Sequence, residues 1–123
     1  MKADMRELGQ LYKALADETR LAMLALLVRR EELCVCDFVD VMAITQSKAS
    51  RHLRYLLNTG LVQDRREAVW IFYRVAEPLD EARREVIASV HRLTENATTK
   101  KLLKALDRWQ ANRQCGTTHT CKR

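Results

Sequence analysis

Glycine occurs three times and proline once in 123 residues. Backbone breaks are therefore few, and helices should dominate. No apolar run approaches the ~18 residues that a membrane-crossing helix needs, so no membrane partner is expected. The opening run Met1-Lys2-Ala3-Asp4-Met5-Arg6-Glu7 lacks the apolar stretch of a secretory signal. A cytoplasmic protein with reduced thiols is the expectation. There is no Cys-x-x-Cys beside a βαβ pattern, no Gly-rich phosphate loop, no zinc-protease motif and no Ser/His/Asp arrangement. An enzyme is not expected, nor an organic cofactor.

What remains is a chain of single-domain length, 47% hydrophobic, with a formal net charge of +6. A domain of this size buries its apolar surface less completely than a large one, so a dimer would help. The positive balance suits a polyanion such as DNA, although a basic chain can also be merely soluble.

The apolar spacing of Leu8, Leu11, Tyr12 and Leu15 predicts a first helix over 5–15. Asp17 can cap a second helix, with Leu21, Leu24, Ala25 and Val28 inward and an end near Arg29-Arg30-Glu31-Glu32. A short third helix fits 35–42. Ala43-Ile44 then makes a tight turn, Thr45 caps a fourth helix from Gln46 to about Asn58, and Gly60 ends it. Two helices joined by so short a turn form a helix-turn-helix. The β-branched and aromatic runs 61–66 and 69–75 predict a hairpin, or wing, around an Arg66-Glu67-Ala68 turn. After Pro78, Leu79, Ala82, Val86, Val90 and Leu93 mark a fifth helix. Asn96-Ala97-Thr98-Thr99 interrupts the pattern before it continues through Leu102, Leu106 and Trp109 to about Asn112. The expected fold is mainly α with a β-hairpin: a winged helix-turn-helix over 1–112, dimeric through its terminal helices. Residues 113–123 are expected to form a flexible tail that carries cysteines.

Each helical residue turns by about 100°, which places Gln46, Ser47, Ser50, Arg51 and Arg54 within one arc. Ala49, Leu53, Leu56 and Leu57 face the core. Gln can pair with an adenine edge, Arg with a guanine edge, and Ser with base or phosphate. Lys48 and His52 lie on the same helix, and Arg65 and Arg66 put positive charge on the wing, where contacts usually position the protein on phosphates. These nine residues are the candidate double-stranded DNA contacts. A solvated helix face beside a charged hairpin is the plain alternative.

The run Glu32-Leu33-Cys34-Val35-Cys36-Asp37 places two thiols two residues apart, next to the reading helix. On a regular helix such residues point about 200° apart, so both sulfurs reach one ion only if the third helix starts non-helically or unwinds. Unwinding would strain the helix that positions the reading helix and couple ligand to DNA release. A helix N-terminus would also make thiolate more available. The plain alternative is two small cysteines packing as hydrophobes.

These segments, with Leu15-Ala16-Asp17-Glu18-Thr19-Arg20-Leu21 and Gln46-Ser47 through Ser50-Arg51-His52-Leu53, resemble the ArsR/SmtB family of metal-responsive repressors over about residues 8–95. The Cys-Val-Cys-Asp segment is the most specific part and looks like the arsenic-responsive branch. The resemblance implies a homodimer that represses an arsenic-resistance operon and leaves operator DNA when arsenite or antimonite, the inducer, binds cysteine thiolates. Some arsenic sensors carry a third cysteine where this chain has Val39, so either two thiols suffice or Cys115 or Cys121 of the tail completes the metal site from its own or the partner subunit. A redox or persulfide sensor that couples Cys34 or Cys36 to Cys115 is the alternative, and a soft-metal carrier without operator binding a more distant one. Relatives that hold zinc-like ions between long helices use His and carboxylate pairs; here only His91, Glu95 and Glu85 approximate that, more simply read as a solvated face.

Overall fold

The structure is a computed structural model and describes residues 3–112. Six helices and a three-stranded antiparallel sheet follow in the order α1 (Met5–Leu15), α2 (Glu18–Leu27), β1 (Leu33–Cys34), α3 (Val35–Met42), α4 (Gln46–Asn58), β2 (Val62–Glu67), β3 (Trp70–Val75), α5 (Glu81–Leu93) and α6 (Ala97–Asn112). Several boundaries follow from caps. Asp4, Asp17, Thr45 and Asp80 each accept a hydrogen bond from the backbone N–H three residues on, which satisfies a donor the first helical turn leaves open. Asn96 does the same for Thr99, so the Asn96–Thr99 interruption is the start of α6 rather than a kink within one long helix.

The helix-turn-helix pair is α3 and α4. Ala43 ends α3 in the left-handed conformation, φ 54° and ψ 46°, and its N–H and that of Ile44 return to the last carbonyls of α3. Gly60, at φ 79°, turns the chain out of α4. A side chain there would be strained by that φ and would press on the Arg83 guanidinium.

The wing differs from expectation in two respects. Glu67 pairs with Trp70, so the turn is Ala68-Val69, not Arg66-Glu67-Ala68. Ala68 carries the positive φ, 57°, that a two-residue hairpin turn demands. The sheet also gains a third strand, in the order β1-β3-β2. Leu33 pairs with Tyr73 and Cys34 with Phe72. Two residues are too few to show an alternating pattern, so the strand was invisible in the sequence. It nevertheless joins the thiol segment to the wing.

Leu11, Met23, Leu24, Leu26, Phe38, Leu53, Leu56 and Leu106 are all fully buried and make one core that all six helices share with the sheet. Burial of such side chains stabilises by roughly 1.5–3 kcal/mol each. No helix among the described residues is long and apolar enough to cross a membrane.

Candidate thiol site and nucleic-acid interface

Cys34 is the N-cap of α3 and keeps extended backbone, φ −86° and ψ 156°. Cys36 lies in the first turn. The change from strand to helix between them cancels the divergence that a regular helix would impose. Their Sγ atoms lie 3.1 Å apart, well beyond a disulfide bond of about 2.05 Å. The non-helical start therefore holds in the structure. Of the two routes, a non-helical start or unwinding, the first brings the sulfurs together, so no unwinding of α3 is needed for one ion to reach both.

Asp37 holds this arrangement. Its carboxylate is 1% exposed. One oxygen accepts from the Cys34 backbone N–H at 2.8 Å and the other from the indole N–H of Trp109, on α6, at 2.9 Å. A carboxylate at the third helical position that bonds back to the cap residue is the return half of a capping box. Thus Cys34-x-x-Asp37 was legible as a helix start. Trp109 was not, because its partner lies 72 positions away. Cys34, Cys36 and Trp70 form a small apolar cluster of their own, with Val35, Phe72 and Trp109 against it. Both tryptophans of the chain thus border the thiols.

The donor set suits a soft ion. The two sulfurs, 3.1 Å apart, are close enough to be held by one ion. Among the described residues no group of three or more His, Cys, Asp or Glu side chains is placed to hold a metal. His91, Glu95 and Glu85 are all exposed. Cys115 and Cys121, and the tail as a whole, lie outside the described residues.

On α4, Gln46, Ser47, Lys48, Ser50, Arg51 and Arg54 are exposed. His52 departs from the expected set: it is 8% exposed and faces inward. Its Nδ1 lies 3.2 Å from an Arg20 guanidinium nitrogen. Guanidinium can only donate, so Nδ1 accepts and the ring is neutral. Burial is the main cause that pulls its pKa below the ordinary value, with Arg20, Arg51 and Lys48 adding to it and Asp17 opposing. Arg20 is itself 9% exposed. It donates to the Ala14 and Lys13 carbonyls at 2.7 and 3.3 Å and stacks over Tyr55 at 3.9 Å. One guanidinium, from the first turn of α2, thus ties the end of α1 to the reading helix. The Leu15–Leu21 run contained this residue without revealing its role.

Arg65 also departs from expectation. It bonds Glu32 at 2.6 and 2.8 Å and Glu67 at 2.7 Å and lies over the Phe72 ring. Those bonds push its pKa up and hold the Glu32 carboxyl below its usual range. Arg65 thus links the wing to the residue before β1 while its side chain stays about half exposed, at 49%. Arg66 is exposed and has no ion pair among the described residues.

Comparison with known proteins agrees with this architecture. Residues 17–64 match the family described as bacterial regulatory protein, arsR family. The chain is 48% identical over 67 residues to the arsenical resistance operon repressor of Escherichia coli, a match that spans 54% of this chain and 57% of that protein's length. It is 36% identical over 85 residues to an uncharacterised HTH-type transcriptional regulator of Methanocaldococcus jannaschii, covering 69% of this chain and 92% of the relative. Among solved structures it is similar to a homodimeric winged helix-turn-helix DNA-binding domain from Mycobacterium bovis, a possible ArsR-family regulator. That likeness has a TM-score of 0.61 at 28% identity and covers 77% of this chain and 89% of that one.

Proposed function

The chain belongs to the arsR family of bacterial regulatory proteins, and from that premise we propose that it is a homodimeric repressor of an arsenic-resistance operon, released from DNA by arsenite or antimonite. The observation that carries this reading is the pair of sulfurs 3.1 Å apart at the junction of β1 and α3. Cys34 ends β1, which pairs with the wing strand β3, and Cys36 lies in the first turn of α3, the first helix of the helix-turn-helix. A ligand held there touches both parts that address DNA.

Cys34 and Cys36 are the proposed ligands; either the two suffice or Cys115 or Cys121 supplies a third thiolate. A trivalent arsenic or antimony species would supply a soft centre that draws thiolates together. Gln46, Ser47, Lys48, Ser50, Arg51 and Arg54 present the reading face, and Arg66 holds backbone phosphate. The DNA partner is an operator with two half-sites, spaced as the dimer spaces its two α4 helices. The arsenical-resistance name of the Escherichia coli relative supports the inducer, and the homodimeric Mycobacterium bovis domain supports the dimer.

The test is fluorescence anisotropy of the chain's own promoter DNA with reduced protein, titrated with arsenite, beside a Cys34→Ser/Cys36→Ser variant. Release near one ion per subunit, absent in the variant, is the expected outcome. Tight DNA binding that ignores arsenite would overturn the reading and favour a thiol redox or persulfide sensor of the same fold, for which oxidant or persulfide is the next titrant.

A further inference from the structure

Both sulfurs are sealed, with Cys34 0% and Cys36 1% exposed. An ion that binds both must displace part of the wall. The wall has two large aromatic pieces, and they are not equally held. Trp70 opens β3 beside the hairpin turn, pairs directly with Glu67 of β2 and is buried, 8% exposed. Trp109 lies on α6 and is half-buried, the more exposed of the two. It packs against the thiol cluster, and its indole N–H donates to Asp37 at 2.9 Å. The more exposed ring has less packing to lose on moving.

We propose that Trp109 is the lid of the thiol site and Asp37 its catch, so that uptake of a soft ion by Cys34 and Cys36 displaces the indole and releases the C-terminal part of α6 from α3. The idea rests on the thiol-site reading above. Asp37 serves both halves of the device. Through Oδ2 it fixes the extended backbone that brings Cys34 to Cys36, and through Oδ1 it closes the lid. It is a positioning residue and does not itself bind the ion. With arsenite as As(OH)3, two As–S bonds form; two thiol protons and two hydroxide groups leave as two waters, and arsenic stays trivalent. The bulk added at the sulfurs occupies the space the indole fills. Occupancy of the thiols then reaches α6, an element remote from α4 in sequence, without unwinding α3.

The chain has two tryptophans, so an amide-proton spectrum of 15N-labelled full-length protein contains two indole N–H signals, assigned by Trp109→Phe. On saturation with arsenite the Trp109 signal should shift and its protection from solvent exchange fall by about tenfold or more, while the Trp70 signal keeps its protection. Trp109→Phe retains a ring but lacks the N–H. By calorimetry it should bind arsenite about tenfold more tightly, the effect of no longer breaking one hydrogen bond to a carboxylate. A purely structural Trp109 predicts weaker or unchanged binding instead. Arsenite heat equal in wild type and Trp109→Phe, with both indole signals unmoved, overturns the lid and leaves the thiol site standing. No arsenite heat in the wild type overturns both.

Discussion

Arg20 and His52 show how much one buried contact does here. The guanidinium satisfies two carbonyls at the end of α1 and the His52 Nδ1, and no other side chain offers donors in that fixed fork. Arg20→Lys should destabilise the fold by roughly 1–3 kcal/mol and weaken operator binding, since α4 loses its tie to α1. Urea denaturation and anisotropy check the two effects. The histidine gives a pH signature. Its folded pKa lies below the ordinary 6.5, so the unfolded chain takes up the proton first as pH falls. Its stabilising contribution is complete above about pH 6.5, declines below it, and is lost once pH passes the folded value. Urea midpoints from pH 8 to 5 should fall in the wild type and fall less in His52→Gln. Equal slopes would show that the buried ring is not the source.

At the scale of elements, the two turns that shape the DNA-facing half both use alanine where glycine fits better. Ala43 ends α3 at φ 54° and Ala68 turns the wing at φ 57°. A left-handed residue with a Cβ costs about 1–2 kcal/mol, partly offset because glycine loses more entropy on folding. Ala43→Gly and Ala68→Gly should each stabilise by about 0.5–1 kcal/mol, read as a higher urea midpoint. Unchanged or lower midpoints would mean the turns relax in solution. The wing has a second constraint in the Arg65–Glu32 pair, which anchors β2 to the chain entering the thiol site. Thiols and wing are therefore joined twice, through this pair and through the β1–β3 backbone ladder.

For the whole molecule, α1, α2, α5 and α6 enclose an apolar groove lined by Leu15, Leu21, Val90 and Leu102. Tyr12 and Leu93 border it and are 61% and 68% exposed. These are the elements from which the dimer was expected, and the proposed dimer covers them. Leu93→Glu should convert dimer to monomer in sedimentation velocity and weaken operator binding by orders of magnitude, because one α4 helix then binds one half-site alone. A variant that stays dimeric would move the interface elsewhere.

Local rules were enough for much of this molecule. Side-chain caps at Asp17 and Thr45, helical spacing of leucines, and the glycine after α4 each act within a few residues, and the helices lie where those signals place them. So does the exposed polar arc of α4, because amphipathic spacing decides which side faces the core. The candidate ligands Cys34 and Cys36 were legible by residue type and position. Their convergence was not, since it depends on a two-residue strand that exists only because β3 lies beside it. The roles of His52, Arg65, Asp37 and Trp109 were likewise decided by partners 32, 33 and 72 positions away. Sequence spacing prescribes which way a side chain leaves its own helix or strand. What meets it there, a carbonyl, a carboxylate or an indole, is settled only when distant segments pack, and in this protein that packing brings the sulfurs of two nearby cysteines together.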